Sequence, residues 1–366
     1  MLIYLTNSLI VDEKDTRLDD IKRCAKYLAM AMIEHNHIVR GDYEVLEWLA
    51  EIMAQYDNDS YNVYTRLSKR FSTYVIPSCL HYYVKVFVEM PTIDFIEENE
   101  VKIKPIHYSY FLDSSKVQAM PFIGEDTADC DFYIHIANNY LSSNNFNLIL
   151  SCRKEKGNGS GVVKVTSEYV KAHKPIICIV DSDKKYPNQP IDPNTTYAKC
   201  RNEWDTYPVI NEIFCFHVVQ TQEIENLIPY NYIDNLGLWD GQCKANKEAY
   251  DILYNNENRE IILCYYDLKN GLKKNDAMNK DEDYLNYVIM CYSCFNPNCD
   301  RNLIKSVSTG NWLCAKLHGS LLKLINDYIM THDNLHPQLL KFQKKEWNDV
   351  GAILLDMCCA GKEEFL

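Results

Sequence analysis

The sequence predicts an α/β protein with a central parallel sheet and covering helices, flanked by helical amino- and carboxyl-terminal regions. Three observations predict it. Between residues 118 and 235 short apolar runs alternate with helix-patterned segments, as in consecutive strand–helix–strand units. Before 118 apolar residues recur mainly at helical spacing, and after 235 helical patterns dominate again. The expected organisation is 1–117, mostly helical with a small sheet; 118–235, the sheet domain; and 236–366, helical.

Taken in order, Leu18, Ile21, Ala25, Leu28 and Met32 form a helical stripe after a cap at Asp15 or Thr16, and "DYEVLEWLAEIMAQY" repeats the pattern. "YYVKVFVEM" and "VKIKPIHYSYFL" read as strands. From Gln118 the chain reads as strand "AMPFI", helix "DCDFYIHIANNYL", strand "NFNLILS", helix "VVKVTSEYVKAH", strand "PIICIV" and strand "EIFCFHVV". Helical patterns follow at "ANKEAYDILY", "CAKLHGSLLKLINDYIM" and "EWNDVGAILLDMCCAG", with "NNENRE" and "KNGLKKNDAMNKDED" as exposed loops.

With 366 residues, 47% hydrophobic and 12% aromatic, the chain has ample material for a folded core. "MLIYLTNSLIVDEKD" has too short an apolar run and no basic start for a signal peptide, and no stretch reaches the roughly 18 apolar residues of a membrane span. A cytoplasmic protein with no membrane partner is expected, its 15 cysteines mostly reduced and buried. A net charge of −13 excludes a uniformly basic coat for nucleic acid. A basic island nevertheless runs from Ser151 to Arg201, with ten Lys or Arg against five acids.

Acids follow three of the expected strands. "AMPFIGEDTAD" supplies Glu125, Asp126 and Asp129, "PIICIVDSD" supplies Asp181 and Asp183, and "EIFCFHVVQTQEIEN" supplies Glu223 and Glu225. Parallel sheets gather ligands at the carboxyl ends of their strands. Carboxylates collected there repel one another unless a cation separates them, and oxygen donors suit Mg²⁺ or Mn²⁺. The chemistry this implies is metal-assisted phosphoryl transfer. The ordinary reading, turn residues and helix caps, suits Asp126 and Asp131. "RKEKGNGSG" concentrates Gly157, Gly159 and Gly161 beside Arg153, Lys154 and Lys156, an arrangement that fits anion binding as well as a plain connector. These basic residues, with Lys184 and Lys185, are the candidate phosphate contacts.

"FIGEDTADCDFY" resembles the first motif of Toprim domains, although Asp126 stands where that family commonly has Gly. "IICIVDSD" resembles the second motif, and "QEIENLIP" a third acidic element of Toprim nucleases of the overcoming-lysogenisation-defect (OLD) type and their relatives in bacterial antiphage defence. The resemblance covers about residues 118 to 235. It implies a Toprim-like catalytic domain and an Mg²⁺-dependent nuclease: Glu125 as the catalytic glutamate, Asp181 and Asp183 as the metal pair, and Asp129, Glu223 and Glu225 as accessory ligands. OLD-type enzymes also use a lysine beyond the acids, for which Lys316 is the nearest candidate. The family often carries an ABC-type ATPase. No Gly-x-x-x-x-Gly-Lys-Ser/Thr occurs here, so the resemblance implies a separate ATPase or sensor subunit as partner, alongside nucleic acid. A homo-oligomer is compatible with the same reading.

Other constellations are weaker. Cys291, Cys294 and Cys299 have part of a zinc spacing but need a fourth ligand such as Cys314 or His318, and buried thiols are the ordinary reading. No His-Glu-x-x-His or Gly-x-Ser-x-Gly occurs, and His217 sits on an expected strand as a structural residue. A noncatalytic Toprim-like scaffold is the alternative from another class. A nucleotidyl-transfer enzyme of primase or topoisomerase type keeps the fold, but none of the 27 tyrosines stands out as a nucleophile.

Overall fold

The computed structural model describes residues 1–74, 76–159, 161–206, 212–273, 282–307, 312–333 and 335–362. The chain forms two compact units: Met1–Cys178, Asn202–Phe216 and Asp349–Leu366 make the first, Ile179–Arg201 and His217–Asn348 the second.

The first unit begins with β1 (Leu2–Leu5), α1 (Leu18–Ile33), β2 (Ile38–Gly41), α2 (Tyr43–Met53), α3 (Asn58–Lys69), β3 (Tyr82–Phe87), β4 (Ile96–Glu98) and β5 (Val101–His107). The expected small sheet is five-stranded, in the order β2-β1-β3-β5-β4, with only β4 antiparallel. The apolar run Leu2–Leu5 supplies β1, which pairs with both β2 and β3. The stripe on α1 is buried as expected, at Ile21, Ala25, Leu28 and Met32. The cap differs: the helix starts at Leu18, and Asp15 instead accepts the Arg17 N–H (2.8 Å) and its guanidinium (2.7 and 2.9 Å) in the preceding turn. At α3, Asp57 is a true cap, accepting the Ser60 N–H.

The second sheet is built from β6 (Met120–Gly124), α4 (Thr127–Ser143), β7 (Ile149–Leu150), β8 (Cys152–Lys156), α5 (Gly161–Lys171), β9 (Ile176–Val180), α6 (Thr196–Asp205) and β10 (Phe214–Val218). The strand order is β10-β9-β6-β8. β6 is parallel to β8 and to β9, and the Ile176 N–H to Ile213 O and Val219 N–H to Val180 O bonds carry β10 along β9 in the same sense. The inner strands "MPFIG" and "IICIV" are buried throughout, the continuous apolar pattern of a sheet covered on both faces. "NFNLILS" departs from expectation. It yields only the two residues of β7, and the sheet strand is the next segment, "CRKEK", whose charges suit an exposed edge.

The second unit continues with α7 (Tyr230–Asp234), α8 (Gly241–Tyr254), α9 (Arg259–Tyr265), β11 (Leu272–Lys273), α10 (Glu282–Ser293), α11 (Arg301–Ser306), β12 (Trp312–Cys314), α12 (Leu321–Thr331) and the start of α13 (Lys341–Cys358). β11 and β12 pair antiparallel, so "CAKL" is not helical and the helix of that segment starts at Leu321. Most of the expected loop "KNGLKKNDAMNKDED" lies outside the described residues. The end of α13 and β13 (Cys359–Ala360) belong to the first unit, where β13 pairs with β7. There Leu355 and Cys359 pack with Leu2, Ile38, Tyr83, Ile103 and Leu141 in one core cluster. Among the described residues no helix is long and apolar enough to cross a membrane.

Candidate functional site

In the second unit, the turn after β9 carries Asp181, Ser182 and Asp183. Ser182 donates its hydroxyl to Thr221 O (2.5 Å), and the Asp183 N–H donates to Gln222 O (3.0 Å). These bonds lace it to the segment after β10. Asp183 has φ +56, a left-handed conformation that Asp tolerates better than most residues and that the two flanking bonds fix.

Glu223 and Glu225 frame a short 3₁₀ turn, Ile224–Leu227. Its rigidity comes from Asn226, whose side chain accepts the Glu223 N–H (2.9 Å) and donates to Leu263 O (2.8 Å) and Tyr266 O (2.9 Å). Gln343 donates to Asn226 O and Ile228 O, both at 2.9 Å, and the Trp347 indole to Leu227 O at 2.9 Å. The turn is thus clamped from the start of α13. Glu225 is 3% exposed.

The charge facing these acids is Lys269. Its Nζ lies 3.0 Å from Glu225 Oε2 and 3.4 Å from Glu223 Oε2. Burial works against the ammonium, but Glu225, Glu223 and Asp181 outweigh it, so Lys269 titrates above its ordinary range. Burial pushes the Glu223 carboxyl up to about 7 against the pull of Lys269, and raises Asp183 above its usual range against Lys185 and Lys269. Lys269 is positioned by a tight turn in which the Gly271 N–H donates to Asp267 O (2.8 Å). Gly271 has φ +66, and a Cβ there would lie 2.5 Å from Cys314 O, so this contact with β12 needs glycine.

In the first unit, Glu125 directly follows β6 and is partly buried. The glycine loop packs on its backbone: the Gly159 N–H donates to Glu125 O (2.9 Å), and a Cβ on Gly157 would stand 2.4 Å from Gly124 O. Asp126 and Asp129 form the capping box of α4, with Asp126 accepting the Thr127 N–H (2.6 Å) and Asp129 the Asp126 N–H (2.7 Å). One Asp129 oxygen is therefore held by the backbone rather than turned to a ligand. Arg153, Lys154 and Lys156 lie on β8. Arg153 bonds Glu155 (2.9 Å) and Tyr169 (3.0 Å), and Lys154 pairs with Asp131 (2.5 Å). In the second unit the backbones of Lys184 and Lys185 donate to Ser182 and Gln189.

Lys316 is exposed, in the segment after β12. Cys291 is buried on α10, and Cys294 lies just beyond the helix with its thiol 3.5 Å from Met290 O. Burial raises the thiols of Cys291, Cys294, Cys299 and Cys314, and His318 accepts the Ser320 N–H (3.1 Å). Among the described residues no three His, Cys, Asp or Glu side chains form a ready-made metal shell, these cysteines included. His217 is mostly buried, 3.9 Å from Glu346.

Sequence reasoning missed Lys269. It lies more than forty residues beyond the acids it faces, and its one local signal is the Asn-Gly turn that follows it. No protein-family model, no curated protein and no solved structure matches this chain.

Proposed function

We propose that the chain is a metal-dependent nuclease of the Toprim type. The observation that carries the reading is the carboxylate group of the second unit: Asp181 and Asp183 after one strand of a parallel sheet, Glu223 and Glu225 after its neighbour, and Lys269 paired with both glutamates. Carboxylates that are buried, as Asp181 and Glu225 are, or partly so, as Asp183 and Glu223 are, fit a site that works with a cation. The sheet order and the strand–helix alternation are consistent with the same family.

The donors fit a hard dication in kind, being oxygen atoms in a partly buried site. Asp181 and Asp183 would hold Mg²⁺, with Glu223 and Glu225 as accessory donors, and the bound ion would polarise the phosphodiester and acidify a water. Lys269, already drawn to these acids, takes the part that the resemblance gives to a lysine and that Lys316, exposed after β12, fits less well. It offsets carboxylate charge and can meet a phosphate oxygen as that charge is shared out. Glu125, pinned through its carbonyl by Gly159, takes the part of the family's catalytic glutamate. Control by a separate ATPase or sensor subunit, as in two-component antiphage systems, belongs to the same reading.

The test is a cleavage assay of the purified chain on plasmid, single-stranded DNA and transfer RNA, with Mg²⁺, Mn²⁺ or EDTA. The proposal predicts cutting that requires metal and is lost in Asp181→Ala and Glu125→Ala while both variants stay folded. Cutting that persists in EDTA or in Asp181→Ala would overturn it.

A further inference from the structure

Two thiols meet in the first unit at a seam between distant parts of the chain. β7 pairs antiparallel with β13, Leu150 opposite Cys359, and the Ser151 N–H donates to Cys358 O at 2.8 Å. One residue on, Cys152 opens β8, so the seam sets it beside Cys358, the last residue of α13. Neither cysteine is in a disulfide. Cys152 is half-buried, whereas Cys358 is 1% exposed.

The two thiols differ chemically. The neighbouring Cys358 draws the Cys152 thiol below its ordinary range, with help from the Lys154 charge on the same strand, while burial pushes Cys358 well up. A half-buried thiol beside a fully shielded one is the arrangement of an attacking cysteine and its resolving partner.

We propose that Cys152 and Cys358 are a peroxide-responsive modification site that closes to a reversible disulfide. The Cys152 thiolate attacks one peroxide oxygen, the O–O bond breaks, and hydroxide leaves and is protonated to water. The Cys358 sulfur then attacks the sulfenic acid of Cys152, forming the S–S bond as the S–O bond breaks, with release of a second water. Each sulfur is oxidised by one electron equivalent and the peroxide is reduced by two. A dithiol reductant reverses the bond. The link would tie the end of α13 to β8, the strand that leads into the loop clasping Glu125. It stands independently of the nuclease reading.

The test uses the full chain, reduced, desalted and treated with near-stoichiometric hydrogen peroxide, then blocked with N-ethylmaleimide and digested without reductant. Mass spectrometry is expected to find the Cys152 peptide joined to the Cys358 peptide, released by dithiothreitol, with Cys152 reacting at least about tenfold faster than the buried Cys178 or Cys264. Cys358→Ser should leave Cys152 as a sulfenic acid trapped by dimedone, and Cys359→Ser should keep the link. Recovery of Cys152 as its maleimide adduct while other thiols oxidise, or its linkage to Cys79, Cys130 or Cys359, would overturn the proposal. The wild-type map decides the matter even where a variant folds poorly.

Discussion

Asp356, on the part of α13 in the first unit, accepts the His81 N–H at 2.8 Å and is buried. Burial pushes its carboxyl up to about 7 despite the His81 and Tyr82 N–H groups. The folded chain therefore keeps a proton that the unfolded chain loses near pH 4, so this site's contribution is most favourable below pH 4 and is lost as pH rises through 7. Asp356→Asn keeps an acceptor oxygen without the charge. Its stability should match the parent near pH 4 and exceed it by up to about 4 kcal/mol at pH 8, a shift of about three units at about 1.4 kcal/mol each. Denaturant titrations at the two pH values check this. Lys269 makes the opposite case. Lys269→Met leaves Glu223 and Glu225 without their counter-charge, which should cost about 3 kcal/mol at pH 8 and less at pH 5, where Glu223, pushed up to about 7 by burial, carries a proton. A loss equal at both pH values would mean that the pair contributes packing rather than charge. Residues of this kind were legible unevenly. Asp181 and Asp183 announce themselves by following "IICIV", whereas Lys269 is tied to its acids only by the tertiary fold.

At the scale of elements, the strands that could be read were those buried on both faces. "MPFI" and "IICIV" are continuous apolar runs bounded by acids, and both sit inside the sheet. β8 was not legible because an edge strand leaves one side open and tolerates Arg153, Lys154 and Lys156, so its charges read as a loop. Placing those residues on β8 fixes the glycine loop that follows against Gly124 and Glu125. Gly157→Ala would drive a methyl to 2.4 Å from Gly124 O and 2.3 Å from Val162. An overpacked contact of this kind costs about 1–3 kcal/mol. The variant should also lose cleavage beyond what its stability explains, because the displaced backbone carries Glu125. Thermal melts alongside cleavage rates separate the two effects, and unchanged values for both would remove the loop from the account.

For the whole molecule, the alternation of apolar runs with helical patterns indicated the α/β class, but not the partition. In the amino-terminal part the helices were the easier elements to read, because the strands are short: β1 and β2 have four residues each, while α1 has sixteen. The sequence order of three acid-tipped strands was legible, and it is the feature from which the nuclease reading grows. The return of α13 and β13 to the first unit was not, since nothing local in "LLDMCCAG" names its partner. The central claim is that the carboxylates of the second unit are a divalent-cation site. Its most direct test is Mn²⁺ binding to the intact protein, followed by the loss of the free-ion paramagnetic signal, beside Asp181→Asn. The account predicts one or two bound ions, displaced by Mg²⁺ and weakened at least about tenfold in the variant, as expected when a metal-bound carboxylate is removed. Equal Mn²⁺ binding in both proteins, or none in either, would contradict it.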